Sequence, residues 1–396
     1  MTEEVTVAAV QNLSHRKRSP LPKGEGFGGP QFPKGVILML NQEALSLGTN
    51  RSVIRELFEY GRARAAVVGA ENVFDFSLGN PFIPAPAAVG EALEAILRDT
   101  DPLTLHGYTT AVGDYATRQA IADDLNARFD AGAEAEDFFL GCGAAPELTA
   151  VLKALAVPGA EVLAIAPYFP EYKPFAENAG LKFRVVPPDV PGFQINLEAL
   201  SALLTRKSAE FGHPIYLISD EPYRELVYGV ETPWIPHIYP NTVVCYSYSK
   251  SLSLPGERIG YVYVPKRAQD APALYAAVAG AARAMGHVCA PSLWQKVIAR
   301  CAEVRPDLHS YDRNRKLLYG ELTAMGYEMA KPDGAFYLFI KAPGGDAVAF
   351  SEKAKQQDLL IVPGDGFGCP GWFRICYCLD YDTIRRSLPR FRALIQ

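Results

Sequence analysis

Lys250 stands in "VCYSYSKSLSLPGERIGYVYV", residues 244–264, where an apolar run ends in Ser247-Tyr248-Ser249 and is followed by a Pro255-Gly256 turn and Arg258. A lysine that burial keeps unprotonated is a nucleophile for carbonyl groups and forms Schiff bases. The period of two along a strand puts Ser247 and Ser249 on one face, and Arg258, folded back past the turn, adds a planar pair of donors suited to a phosphate. In "LGCGAAPELTAVL", Gly143, Ala144 and Ala145 lie between a predicted strand and a predicted helix, where small residues let an anion reach free backbone N–H groups and the positive helix end. "LISDEPYRELVY" puts Asp220 and Glu221 at the end of an apolar strand, and "WFRICYC" sets Arg374 in a strand where its guanidinium demands a carboxylate partner. Singly, each feature also suits a tight turn, a helix cap, a solvated lysine or a surface ion pair.

The elements that must position these residues alternate. Apolar strands "FFLGC", "EVLAIAP", "LKFRVVPP", "PIYLISD", "TVVCYSYS" and "RIGYVYVP" are separated by helical patterns such as "PELTAVLKALA" and "LEALSALLTRKSAEFG". Continuous apolar strands between helices predict an α/β domain around a mainly parallel sheet covered on both faces, with ligands at the carboxyl ends of its strands. The last ninety or so residues, with a long helix, the strand "GAFYLFIK" and a terminal helix, read as a smaller α+β lobe. Residues 1–36 combine a basic run with dense Pro and Gly and read as a disordered extension. Folded sequence is expected from near Met39, with a helix capped at Asn50, so a chain started at Met39 should lose little.

With 49% hydrophobic residues and a net charge of −5, the chain has material for a large core and no basic field for nucleic acid or an anionic membrane. No apolar run is long enough to span a bilayer and no signal-peptide layout opens the chain. Seven scattered cysteines without CxxC spacing suggest neither a zinc site nor a disulfide framework, so a cytoplasmic setting without a metal is expected.

Taken together, the four features meet the needs of an aldehyde cofactor bearing a phosphate and a ring nitrogen, pyridoxal 5′-phosphate: a lysine for the aldehyde, an acid for the ring nitrogen, an anion cradle and an anchor for a substrate carboxylate. The segments "SYSKSLSLPGERIGYV", "ISDEPYRELVY", "FSLGNPFIPAP", "LHGYTTAVGDYATRQAIA", "PYFPEY", "KPDGAFYLF" and "FRICYCLD" together resemble the class I/II aminotransferases of the aspartate aminotransferase superfamily, fold type I, from about residue 40 to 396. The resemblance implies that Lys250 is the Schiff-base lysine, Asp220 the partner of the pyridine nitrogen and Tyr223 the donor to the cofactor's 3′-oxygen. It implies a phosphate cup of Ala144, Ala145, Ser247, Ser249 and Arg258, with Phe169, or neighbouring Tyr168, stacked on the ring. Arg374 matches the α-carboxylate arginine, Gly79 and Asn80 the backbone near the substrate, and Tyr108 the tyrosine that reaches the phosphate of a partner subunit, which implies a homodimer with shared sites.

By the same resemblance the chain divides into an extension (residues 1–38), a small domain (39–85 and 306–396) and a large cofactor-binding domain (86–305). One segment departs from the family: an "NNPTG"-like stretch on a central strand, whose asparagine also bonds the 3′-oxygen, has no counterpart between "FQINLEAL" and "GHPIYLISDEPY". The expected activity is amino transfer from an L-amino acid to a 2-oxo acid by a ping-pong mechanism. A β-elimination lyase built on the same residues, and an inactive cofactor-fold paralogue, remain the alternatives.

Overall fold

The computed structural model describes residues 8–12, 40–49 and 52–395. Its strands, in chain order, are β1 (Ala8–Asn12), β2 (Phe74–Asp75), β3 (Phe138–Gly141), β4 (Ala160–Ile165), β5 (Lys182–Val186), β6 (Leu217–Asp220), β7 (Thr242–Ser247), β8 (Gly260–Tyr263), β9 (Tyr337–Lys341), β10 (Leu359–Leu360), β11 (Val362–Pro363) and β12 (Trp372–Cys376). A seven-stranded sheet has the order β3-β8-β7-β6-β1-β4-β5. β6 runs parallel to β7 and β4 to β5, while β8 opposes β3 and β7, and β1 opposes β4 and β6.

The sheet is covered on both faces, and the strand period decides which side chain meets which layer. Phe139, Cys245 and Val262 pack with Leu148, Val151 and Val278 from the helices Ala144–Ala154 and Ala271–Ala284. Their chain neighbours Phe138, Val244, Tyr261 and Tyr263 pack instead with Ile121, Leu125 and Val297 from the helices Tyr115–Phe129 and Ser292–Cys301. Near-continuous apolar strands are what two covered faces require, and the α/β architecture follows from them.

A second layer is built from the antiparallel sheet β11-β12-β9 and the ladder β10-β2. The helices Leu308–Met325 and Tyr381–Ile395 close it around Phe336, Phe373 and Phe391, all fully buried. Asn314 ties the helix to the sheet by donating to the carbonyls of Tyr377 and Leu379 at 3.1 and 2.7 Å. The helix Val53–Val68 is capped by Ser52, whose side chain accepts from the Arg55 N–H; Asn50, the expected cap, lies outside the described residues.

Five residues of the stretch expected to be a disordered extension form β1, and the rest of that stretch lies outside the described residues. β1 fills the place between β4 and β6, with Ala9 opposite Leu163 on one side and Leu217 on the other. Strand neighbours sit about 4.8 Å apart, so without β1 the two strands would stand roughly 10 Å apart with facing backbone groups unpaired. Composition alone hid this, because the demand comes from the sheet.

Glu147, in the first turn of the helix Ala144–Ala154, is 1% exposed. Gly141 and Gly260 face each other across β3 and β8, and a Cβ at either would come within 2.7–3.0 Å of a Glu147 carboxyl oxygen. The glycine pair makes the notch in which the carboxyl lies. Neither oxygen has a well-formed hydrogen bond among the described residues. Burial, followed by the charge of Asp220, pushes this carboxyl well above its ordinary 4.5, with Arg258 and the Gly143 N–H opposing.

Two outcomes follow. A chain starting at Met39 exposes the facing edges of β4 and β6; at about 1–3 kcal/mol per unsatisfied buried backbone group, its thermal midpoint should fall by at least roughly 5 °C. An unchanged midpoint would show that the sheet does not need β1. For Glu147, the unfolded carboxyl loses its proton near 4.5 while the folded one keeps it to higher pH, so native stability declines as pH rises from 4.5 toward the raised value. Glu147→Gln removes that titration; its melting point relative to wild type should therefore climb with pH above 4.5, by roughly 3 °C or more at neutrality, whereas a pH-independent difference would contradict the buried-acid account.

Candidate active site

A cavity of about 320 Å³ opens where the carboxyl ends of β6 and β7 meet the β11-β12-β9 sheet, and Gly79, Ala144, Ala145, Phe169, Asp220, Tyr223, Ser247, Ser249, Lys250, Arg258 and Arg374 all line it. Eleven of the positions singled out from the sequence thus converge across 295 residues of chain. β7 ends at Ser247 rather than running on, because Ser247 caps the short helix Tyr248–Ser251 by accepting from the Ser249 N–H. The two serines therefore meet through a strand-to-helix turn and not through strand period, their Oγ atoms 2.6 Å apart.

Opposite them, Gly143 precedes the helix Ala144–Ala154 with φ +92°, and an added Cβ would come within 2.9 Å of an Arg258 Nη. Only glycine accepts both the left-handed backbone and that approach. Arg258 itself folds back, with its Nη1 donating to the Pro255 carbonyl at 2.9 Å. The helix start, two hydroxyls and a guanidinium converge on one point of the cavity wall, which is the donor set an anion needs.

Asp220 and Glu221 point to opposite sides. Asp220 faces the cavity and accepts from the Tyr172 hydroxyl at 2.6 Å. Glu221 is buried in an ion pair with Arg224 at 2.6 Å, and the Arg224 guanidinium lies over Trp234 and Tyr246. So Glu221 is structural, and a carboxylate oriented by a phenol is left at the end of β6. Lys250 Nζ donates to the Gly79 carbonyl at 2.7 Å, and lies 5.5 Å from the Phe336 ring centre and 5.9 Å from that of Tyr223. Phe169 reaches the cavity, whereas Tyr168 packs on Phe183 in the core.

Arg374 is 4% exposed and donates to the Ser77 carbonyl at 2.6 Å, with its guanidinium between the rings of Tyr337 and Phe367, 4.4 and 4.7 Å from their centres. Its Nε has no hydrogen-bond partner among the described residues, and the groups against it are a carbonyl and two rings rather than a carboxylate. The carboxylate that its burial demands has to enter through the cavity.

Two positions named from the sequence are not brought in. Tyr108 is 91% exposed, and Asn80 turns its amide to the Pro81 carbonyl at 3.5 Å. Conversely, Ile54, Leu78, Pro222 and Tyr337 line the cavity without having been singled out. The tyrosine lay in the quoted "KPDGAFYLF", but only the packing of β9 against the cavity marks it. No group of His, Cys, Asp or Glu suited to a metal occurs among the described residues, nor is any helix there long and apolar enough to cross a membrane.

The family described as aminotransferase class I and II matches residues 71–212 and 211–391, two pieces that overlap at Phe211 and Gly212. An aspartate aminotransferase of Thermotoga maritima is 25% identical over 368 residues, 84% of this chain and 94% of that protein. An aspartate/prephenate aminotransferase of Thermus thermophilus is 25% identical over 353 residues, 80% and 89% of the two chains. Among solved structures, an amino transferase from Eubacterium rectale superposes with a TM-score of 0.87 at 48% identity, over 90% of this chain and 98% of its own. Aspartate aminotransferase from Thermus thermophilus with maleate superposes at 0.78 and 22% identity, over 90% and 100%, which speaks to the fold alone. The chain belongs to the class I and II aminotransferases, pyridoxal-phosphate-dependent transaminases of fold type I.

Proposed function

We propose that this aminotransferase moves an amino group from an L-amino acid to a 2-oxo acid by a ping-pong route, with pyridoxal 5′-phosphate held in the cavity described above. The observation that carries the reading is one cavity that joins a lysine amine, a phenol-oriented carboxylate, a three-part anion cradle and a buried guanidinium lacking a protein carboxylate. The cradle fits a phosphate: Gly143 leaves no Cβ in front of Arg258, and the N–H groups of Ala144 and Ala145 start a helix. When bound, the cofactor supplies an aldehyde that condenses with amines and a ring that draws electrons from the substrate α-carbon.

Each side chain then has a task. Ala144, Ala145, Ser247, Ser249 and Arg258 hold the phosphate. Asp220, steadied by Tyr172, keeps a proton on the ring nitrogen, and Tyr223 donates to the 3′-oxygen. Phe169, at the cavity wall, would cover one face of the ring and exclude water from it. Arg374 takes the α-carboxylate of the substrate in a paired contact, with the Gly79 backbone beside it. Lys250 Nζ, poised at the Gly79 carbonyl, would take the α-carbon proton as a general base and give it up again as an acid. Tyr108, exposed here, would reach the phosphate of a second copy in a homodimer.

The two-piece family match supports a further part of this reading: a strand-bearing segment with a cofactor-contacting asparagine is absent from this chain, and β1 takes the place of its strand in the sheet.

Added pyridoxal phosphate should give a visible absorbance that borohydride abolishes and that Lys250→Ala lacks; a folded wild-type protein without it would defeat the proposal. An oxo acid should form from the amino donor only when an acceptor oxo acid is supplied, and pyruvate with ammonia released in its absence would point to elimination instead. Arg374→Ala should lower kcat/KM by about 10- to 100-fold, the scale of lost hydrogen bonds to a charged group, mainly through KM.

A further inference from the structure

β9 and β12 pair antiparallel, with Tyr337 opposite Cys376 and Phe339 opposite Arg374, so Tyr337 and Arg374 are diagonal neighbours on one face. That geometry lays the Arg374 guanidinium 4.4 Å from the Tyr337 ring centre. At the other end of the same side chain, the Tyr337 hydroxyl is 3.0 Å from the Tyr223 hydroxyl. The space is made by Gly79: a Cβ there would fall 1.7 Å from the Tyr337 hydroxyl oxygen. The carbonyl of Gly79 in turn accepts from Lys250 Nζ at 2.7 Å. Tyr337 is 6% exposed and lines the cavity, so a single buried phenol touches both the guanidinium end and the Tyr223–Lys250 end.

We propose that Tyr337 is a positioning residue with two separable parts: its ring holds Arg374 for the substrate carboxylate, and its hydroxyl fixes and polarises the Tyr223 phenol. The inference rests on the cofactor reading above. With the Tyr223 proton turned toward the cofactor's 3′-oxygen, the Tyr337 hydroxyl donates to the Tyr223 oxygen, and hydrogen bonds in such a chain reinforce one another. The relay draws negative charge off the cofactor oxygen. Less charge there means a weaker hold on the proton of the neighbouring lysine nitrogen, so the relay lowers the pH at which that nitrogen gives its proton up.

The test compares wild type, Tyr337→Phe and Tyr337→Leu as holoenzymes, following the absorbance of the lysine-bound cofactor against pH and using maleate as an unreactive carboxylate probe. Tyr337→Phe keeps the ring and removes the hydroxyl, so its titration midpoint should rise by roughly 0.2–0.6 pH unit, the share by which a neighbouring phenol strengthens a hydrogen bond to a charged oxygen. Its maleate affinity should stay within about twofold, since the ring under Arg374 remains. Tyr337→Leu should show the same midpoint shift and bind maleate about tenfold more weakly, the scale of a desolvated cation–π contact. A wild-type midpoint in Tyr337→Phe overturns the relay, and wild-type maleate affinity in Tyr337→Leu overturns the ring's role. Absence of lysine-dependent absorbance in the wild-type protein overturns the cofactor reading and this inference with it.

Discussion

The parallel pairing of β6 with β7 is the constraint on which the site depends. Asp220 lies opposite Cys245 at the carboxyl ends of these strands, and two residues beyond Cys245 the chain turns at Ser247 into the short helix that carries Lys250. Because both strands run the same way, their ends open on the same edge of the sheet, and the acid and the amine reach one cavity from adjacent strands. The helix Ala144–Ala154 begins at that edge too, since β3, which feeds it, shares the direction through its antiparallel pairing with β8. That the helix start, the Asp220 carboxylate and Lys250 meet is thus a consequence of strand direction. Arg374 and Tyr337 come from a different sheet, which closes over that edge.

Around this edge the buried charges sort by whether they find a partner. Glu221 and Arg224 satisfy each other between two aromatic rings, an arrangement that orders the loop after β6 and aims Asp220 outward. Glu147 has no such partner among the described residues, and burial pushes its carboxyl well above the ordinary carboxylate range. Arg374 lies between two rings whose faces suit a guanidinium, and its Nε has no hydrogen-bond partner among the described residues. A desolvated guanidinium lacking a protein counter-ion costs stability, and such costs gather where binding repays them.

β1 shows a different kind of dependence. A strand drawn from near the start of the chain sits antiparallel in the interior of the seven-stranded sheet, between β4 and β6. Its backbone meets two strand edges that would otherwise face each other unpaired, so the drive comes from hydrogen-bond satisfaction. The helix Leu197–Phe211 leads into β6 after a Gly212 cap in the left-handed region. That tight link leaves no chain at this point for a further strand.

Much of this was legible from residues alone. Apolar runs of four to six residues between helical periods identify strands covered on both faces, and residues such as Lys250, Asp220 and Arg258 at their ends report a ligand edge, because strand and helix periodicity are local properties of the chain. Other features were decided only by tertiary structure. Whether Asp220 or Glu221 faces the cavity depends on which face of β6 the cavity adjoins, and whether Phe169 or Tyr168 reaches it depends on the packing of Phe183. Neither β1 nor Tyr337 carries a local signal for its place: the strand answers to unpaired edges contributed by distant segments, and the tyrosine to a gap left by Gly79 far away in the chain. Sequence by itself determined the elements and the chemistry at their ends; the three-dimensional fold decided which of those ends meet, since contact between remote segments is set by the packing of the whole.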